Sequence, residues 1–336
     1  MRFNGNAYQA VEAMLSDSPL QYLTGAGPRA YPVVTLTWVV IAISLAVMVI
    51  ITALVVIALF KRRLPEALDA QGRPPLGKIG RKGGLAWIYV GTGISTVVLL
   101  SISVWNMVAI SAIAAPPGEP AATIEIRGHQ WWWEIRYLSD DPSRLVQTAN
   151  DFHIPVGKPV HINLVGADVI HSFWIPALSG KMDMIPGQTN MLWIQADRPG
   201  TYRGQCTEYC GKQHAHMGFT VTAEPLADYE AWLNHLREPA PEPATPELVQ
   251  AQGVFVGRCG KCHVVGGTST NGQVGPNLSH LMLRKSLAAG TLNNNPVQLS
   301  GWIADPQHIK PGCEMPWLAL SGDELASVRS YLETLN

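Results

Sequence analysis

Four residues with soft metal-binding side chains lie close together in the stretch QCTEYCGKQHAHM, residues 205–217. They are Cys206, Cys210, His214 and Met217. Two thiolates, an imidazole and a thioether suit copper better than they suit Mg²⁺ or Ca²⁺, which prefer oxygen ligands. A zinc site and a disulfide between the two cysteines remain as alternatives. His216, which lies between two of the four residues, is the alternative imidazole ligand.

A second motif, Cys-Gly-Lys-Cys-His, occupies residues 259–263. This spacing is typical of c-type haem attachment, in which the two thiols bond to the haem and the histidine binds the iron. A thioredoxin-like redox pair is the alternative, but it leaves the histidine without a role. A methionine is expected as the sixth iron ligand. Met315 is favoured because it precedes a predicted last helix, and Met282, within another predicted helix, is its rival. The predicted haem ligands and attachment sites are therefore Cys259, Cys262, His263 and Met315.

These two motifs fall in different predicted domains. Residues 118–237 contain short β-rich runs separated by Gly, Pro and Asp turns, a pattern typical of a β-sandwich. Residues 238–246 contain four prolines and predict a stiff, extended linker. Residues 247–336 are helical in character and form the last predicted domain.

The N-terminal third of the chain has the pattern of a membrane anchor. Two long uncharged runs predict helices over about 33–60 and 84–115, each longer than the roughly twenty residues that cross a bilayer. Together they define a transmembrane hairpin over 33–117. The connecting loop, 61–83, contains seven basic and two acidic residues, which favours a cytoplasmic location. Residues 1–32 and everything after the hairpin are then extracytoplasmic.

Composition agrees with this division. Charged residues make up 15% of the 336, well below the roughly 25% of ordinary soluble domains, and mean hydropathy is positive at +0.10. The formal net charge of −1 gives no overall basic field to favour a nucleic acid partner.

The motifs together resemble subunit II of haem-copper cytochrome c oxidases. The resemblance rests on QCTEYCGKQHAHM, on RGHQWWWEIRY (127–137), on DVIHSFWIPALSGKMDMIPGQ (168–188) and on the hairpin. The added cytochrome domain resembles that of caa3-type oxidases. The resemblance implies a multidomain membrane protein with a two-helix transmembrane hairpin, an all-β cupredoxin-like sandwich and an all-α class I cytochrome c domain.

The family's binuclear copper centre, CuA, implies roles for particular residues. Cys206 and Cys210 would bridge two copper ions, and His171 and His214 would each bind one of them. Met217 and the backbone carbonyl of Glu208 would be weak ligands. The Glu208 side chain would face a magnesium ion shared with subunit I, and Trp131 would be the aromatic residue through which electrons reach CuA.

The resemblance also implies a function and a location. The chain would pass electrons from an external donor through haem c and CuA to subunit I, where oxygen is reduced in a proton-translocating reaction. Expected partners are subunits I and III, membrane lipid, and a donor that is a cytochrome c, a bc complex or an alternative complex. The expected location is a bacterial inner membrane, with both termini periplasmic. The alternatives are a subunit of a nitric oxide reductase, or a membrane-tethered copper-binding or thiol-redox protein with a cytochrome attached.

Overall fold

The computed structural model describes residues 20–61 and 84–336. Residues 1–19 of the predicted N-terminal segment and 62–83 of the predicted cytoplasmic loop lie outside the described residues. Two long helices, α1 (Tyr31–Phe60) and α2 (Gly84–Ile113), form a unit of their own. Both are long and apolar enough to cross a membrane. Most of their large apolar side chains are exposed, as expected of surfaces that lipid would cover.

The next part of the chain is a β-sandwich of ten strands. The strands are β1 (Ala122–His129), β2 (Trp132–Tyr137), β3 (Val146–Ala149), β4 (Asp151–Pro155), β5 (Val160–Gly166), β6 (His171–Trp174), β7 (Met182–Met184), β8 (Thr189–Ile194), β9 (Gly200–Cys206) and β10 (Gly218–Glu224). One sheet has the order β3-β2-β1-β5-β8 and the other β4-β10-β9-β6-β7. A helix, α3 (Leu226–His235), follows the last strand.

Alternating side chains of the two sheets meet in one apolar core. In β5 every second residue from Val160 to Gly166 is buried, as expected of a strand with one face on a core. Trp133, Phe173 and Phe219 form the centre, with edge-to-face contacts of Trp133 at ring distances of 6.0 and 4.9 Å. This core fixes the ends of β6 and β9, where the predicted metal ligands begin.

Two features of the sandwich position the predicted copper loop. β9 ends at Cys206 and β10 begins at Gly218, and the two strands pair antiparallel. The intervening loop is therefore closed at its base, where the amide of Cys206 donates to the carbonyl of Met217 at 3.1 Å. β6 pairs with the end of β9 and brings its first residue, His171, to the same edge.

The C-terminal domain is mainly helical. Its elements are α4 (Pro246–Cys259), β11 (Ser286–Leu287), β12 (Leu292–Asn293), α5 (Pro296–Ala304), α6 (Pro306–Ile309) and α7 (Gly322–Leu332). The first and last helices pack through Phe255 and Tyr331, whose rings are 5.3 Å apart. Ser321 and Glu324 form a capping box that begins α7, as the sequence predicts.

The predicted fold class is confirmed, with one local difference. Met282 lies in a single turn of 3-10 helix, Leu281–Leu283, and not in a longer helix. A tertiary contact holds this turn, since the amide of Met282 donates to the carbonyl of Leu335 at 2.8 Å.

Candidate functional site

The predicted copper ligands converge at one edge of the sandwich. Cys206 Sγ lies 3.8 Å from Cys210 Sγ, and Cys210 Sγ lies 3.8 Å from Met217 Sδ. The carbonyl oxygen of Glu208 is 3.3 Å from Cys206 Sγ. Cys206, Cys210 and Met217 are all buried. Two thiols, a thioether and a carbonyl thus face one another in a site closed to water.

Each cysteine has one imidazole beside it. His171 Nδ1 is 4.0 Å from Cys206 Sγ, and His214 Nδ1 is 3.5 Å from Cys210 Sγ. The sulfur atoms therefore lie between two imidazole nitrogens. His216, the alternative ligand, points elsewhere and bonds through Nδ1 to Gln213 Oε1 at 2.8 Å.

The second nitrogen of His171 is held by a carboxylate. His171 Nε2 donates to Asp168 Oδ1 at 2.7 Å, which leaves Nδ1 facing Cys206. Burial lowers the pKa of His171, but its bonds to Asp168 and Cys206 outweigh that effect and raise the pKa. For Asp168 the effects have the opposite signs. Burial raises its pKa, but the hydrogen bonds from His171 and from two backbone amides outweigh burial and lower the pKa.

The two thiols share one hydrogen bond. That bond lowers the pKa of Cys206 and raises the pKa of Cys210, so the pair favours one thiolate beside one thiol. A sulfur separation of 3.8 Å is almost twice the length of a disulfide bond, about 2.05 Å, so the cysteines are not disulfide-bonded here. Soft donors that face one another in a buried site fit copper.

Gly128 makes room for the imidazole of His171. A Cβ at position 128 would lie 2.9 Å from Cδ2 of His171, closer than such contacts allow. Only glycine therefore lets β1 pass this close to the site.

The second site is an apolar cavity in the C-terminal domain. Its wall includes Cys259, Cys262, His263 and Met315, the residues predicted to attach and bind a haem. Met282 is not among the lining residues; it packs instead beside the domain's core. The cavity's wall and donors therefore fit a covalently attached haem.

The surroundings of His263 favour the neutral form of its imidazole and fix its orientation. Its Nδ1 donates to the carbonyl of Pro276 at 2.8 Å, which leaves Nε2 free to bind a metal. Burial lowers its pKa and outweighs the opposing effect of that hydrogen bond. Gly275 passes so close that a Cβ there would lie 2.5 Å from Cε1 of His263.

The sandwich supplies one side of the same cavity. Gln130, Trp131 and Trp132 line it together with the haem residues. Trp131 Nε1 donates to the carbonyl of Cys210 at 2.9 Å, and Gln130 Nε2 donates to the same oxygen at 2.7 Å. Trp131 thus touches the cavity on one side and the copper loop on the other.

Sequence reasoning assigned no role to Asp168, Gln130 or Lys310. Asp168 stands three residues before His171 within a quoted motif, and a carboxylate next to a histidine ligand is the signal that could have found it. Gln130 and Lys310 act through contacts between residues distant in sequence, which no local pattern shows.

Glu134, beside this aromatic strand, makes stability depend on pH. Its buried carboxylate accepts hydrogen bonds from His129 at 3.3 Å and Arg136 at 2.6 Å. Burial raises the pKa of Glu134, but these bonds outweigh it and lower the pKa from 4.5 to about 2. The ionised form therefore adds roughly 3 kcal/mol to the free energy of unfolding above pH 4.5, which is lost as the pH falls toward 2.

We expect Glu134→Gln to be less stable than the natural chain near neutral pH and to lose less stability on acidification. Thermal unfolding of the full-length chain in detergent, followed by circular dichroism between about pH 6 and pH 2.5, measures this. Glu119→Gln, at an exposed position, serves as the control. Equal acid sensitivity of both variants would contradict the prediction.

The fold and the two sites define a class. The chain combines two helices long and apolar enough to cross a membrane, a cupredoxin-like sandwich with a copper-type site, and a c-type cytochrome domain. Residues 136–224 match the family model described as cytochrome c oxidase subunit II, periplasmic domain. Residues 248–336 match the cytochrome c model. Residues 136–224 therefore belong to the family of cytochrome c oxidase subunit II periplasmic domains, and residues 248–336 to the cytochrome c family.

Two curated proteins and one solved structure are similar to parts of this chain. Cytochrome c oxidase subunit 2 of Alkalihalophilus pseudofirmus is 38% identical over 220 residues, covering 65% of this chain and 62% of the relative. The protein of the same name from Bacillus sp. PS3 is 32% identical, covering 63% and 62%. The crystal structure of the periplasmic domain of subunit II from Bradyrhizobium japonicum is 30% identical, covering 36% of this chain and 96% of that chain, with a TM-score of 0.34. The chain thus spans about three fifths of the two curated relatives.

Proposed function

We propose that this chain is the electron-transfer subunit of a terminal respiratory cytochrome c oxidase. The observation that carries the proposal is Trp131, which lines the haem cavity and donates a hydrogen bond to Cys210 in the copper loop. When bound, haem c and CuA would supply one-electron redox chemistry between an external donor and the oxygen-reducing site of subunit I. The chain's own residues hold the two groups and bring them together.

The residues that would hold copper are those that converge at the sandwich edge. Cys206 and Cys210 would supply two thiolates, and His171 and His214 two imidazoles. Met217 and the carbonyl of Glu208 would complete the set as weak ligands. Because His171 and Cys206 lie on the paired strands β6 and β9, these two ligands would move little when the charge of the site changes, which favours fast electron transfer.

The residues that would hold haem are Cys259, Cys262, His263 and Met315. The hydrogen bond from His263 to Pro276 fixes the ring that binds iron. A thioether from Met315 raises the potential of a c-type haem. The partly buried Glu208 side chain would face magnesium at the contact with subunit I.

The proposed setting is a bacterial inner membrane, with α1 and α2 as the anchor and both redox domains on the periplasmic side. The partners are subunits I and III and a donor that is a cytochrome c, a bc complex or an alternative complex. The chain's two long helices contain no histidine, so the ligands for oxygen reduction must come from another subunit.

The test is the metal content and turnover of the native complex. We expect two coppers and one covalent haem per chain, the spectrum of a delocalised mixed-valence copper pair, and consumption of oxygen. Consumption of nitric oxide but not of oxygen would indicate a nitric oxide reductase instead of an oxidase. One copper or none beside a normal haem would indicate a tethered copper-binding or thiol-redox protein instead.

Met217→Leu is expected to keep both coppers and to raise the reduction potential of the copper site. A weakly bound thioether would tune the potential of such a site without being needed to form it. A tenfold change in the relative affinity for the two oxidation states corresponds to about 59 mV, and we expect a shift of that order. Redox titration followed by absorbance measures it.

The control for this change is Met191→Leu, because Met191 is 71% exposed and lies on β8, away from the loop. Its potential should equal that of the natural chain. Complete loss of copper from Met217→Leu would show that Met217 builds the site.

A further inference from the structure

A buried lysine lies where the sandwich and the cytochrome domain meet. Lys310 follows α6 and is only 2% exposed. It precedes Met315 by five residues, so it lies at the start of the loop that carries the predicted axial ligand.

The ammonium group of Lys310 has a complete set of acceptors. It donates to the carbonyl oxygens of Trp131 at 2.7 Å, His216 at 2.7 Å and Ala288 at 3.0 Å. An ammonium group has three donors, and all three are used. Two acceptors belong to the sandwich and one to the cytochrome domain, so the side chain joins the domains.

Neighbouring contacts join the same two loops. Gln213 Nε2 donates to the carbonyl of Pro311 at 2.9 Å. The amide of Gly218 donates to the carbonyl of Ala289 at 2.9 Å. Gln213 and Gly218 lie on either side of residues 214–217, which include the predicted copper ligands His214 and Met217.

Burial of this cation is costly without its partners. Burial lowers the pKa of Lys310 to about 7, with opposing effects from Cys313 and Cys210. Lysine is almost never fully buried unless it is paired or hydrogen-bonded. Because two of its three acceptors are backbone atoms of the sandwich, the buried position is favourable only while the domains are in contact.

We propose that Lys310 is an interdomain clamp, a positioning residue that holds the haem cavity against Trp131 and the copper loop. This inference rests on the proposed electron-transfer function. With the clamp in place, an electron passes between the domains without a preceding diffusive encounter, in contrast to a tethered domain that must search for its docking site.

The test compares Lys310→Met with the natural chain in the full complex. Met keeps the length and apolar stem of the side chain and removes the ammonium. Lys158→Met, at an exposed turn of the sandwich, is the matched control. The first readout is hydrogen exchange of peptides spanning 213–218 and 286–290, which reports docking whether or not the centres are active.

We expect exchange in both peptides to be about tenfold faster in Lys310→Met and unchanged in Lys158→Met. The second readout is the rate of internal electron transfer from photoreduced haem c to copper. This rate should fall about tenfold in Lys310→Met and become sensitive to added glycerol. Metal content, copper spectrum and haem potential should stay as in the natural chain, which separates positioning from a defect in folding.

Unchanged exchange and unchanged rates in Lys310→Met would overturn the clamp. If that variant fails to accumulate, the natural chain still tests the clamp through its rate of internal electron transfer. A rate that is independent of added glycerol supports permanent docking, and a rate that falls with viscosity contradicts it. Absence of copper or haem from the natural chain would be a failure of the proposed function, and hydrogen exchange would still test the clamp.

Discussion

Cys206→Ser should lose the copper pair while keeping a normal haem c. A serine hydroxyl is a hard, weakly acidic donor and cannot replace a thiolate between two soft metal ions. In the structure the Sγ of Cys206 lies near three groups: Cys210 Sγ, the carbonyl oxygen of Glu208 and the imidazole of His171. Cys206 is therefore at the centre of the predicted copper ligands. We expect less than one copper per chain, loss of the mixed-valence spectrum, and oxygen consumption reduced by about a hundredfold or more.

Metal analysis and visible spectroscopy of the purified complex measure this outcome. Cys313→Ser is the matched control, because Cys313 is the fifth cysteine and lies in the cytochrome domain near Gln307 and Met315. It should keep both coppers. Two coppers in Cys206→Ser, with a normal spectrum, would disprove the ligand assignment.

His263→Ala should abolish a spectroscopically normal haem c and leave copper bound. Burial lowers the pKa of this imidazole and the hydrogen bond to Pro276 orients it, and the cavity offers no second histidine among its lining residues. Electron transfer from an external donor should fall by two orders of magnitude or more, because the first acceptor is missing. Pyridine haemochrome spectra and copper analysis measure the two centres separately.

His308→Ala, at an exposed position in α6, is the control and should keep both centres. Loss of copper together with haem in His263→Ala would mean that the sandwich does not hold its ligands without the cytochrome domain. That result would contradict two independently folded domains.

Much of this architecture is predictable from local patterns. The hydropathy of α1 and α2, the alternation along β5 and the capping box at Ser321 each reflect short-range rules of hydrophobic burial and hydrogen bonding. The Cys-x3-Cys-x3-His-x2-Met and Cys-x2-Cys-His spacings are likewise local, and resemblance to a family added His171 and Glu208.

The remaining features depend on contacts that no local pattern contains. Lys310 bonds to Trp131, which is 179 positions away, and Gln130 bonds to Cys210, which is 80 positions away. The turn at Met282 depends on Leu335 at the chain's end. Such contacts arise only when separate elements pack. From its sequence context Lys310 would be expected at the surface, but in the folded chain it is a buried hydrogen-bond donor.

The two-sided wall of the haem cavity has a consequence for biogenesis. Trp131 and Trp132 become part of that wall only when the cytochrome domain has met the sandwich. Before then, the side of the cavity that they cover faces water, and the thiols of Cys259 and Cys262 are easier for an enzyme and a haem to reach. Attachment of haem to these two cysteines would therefore be easier before the two domains close than after.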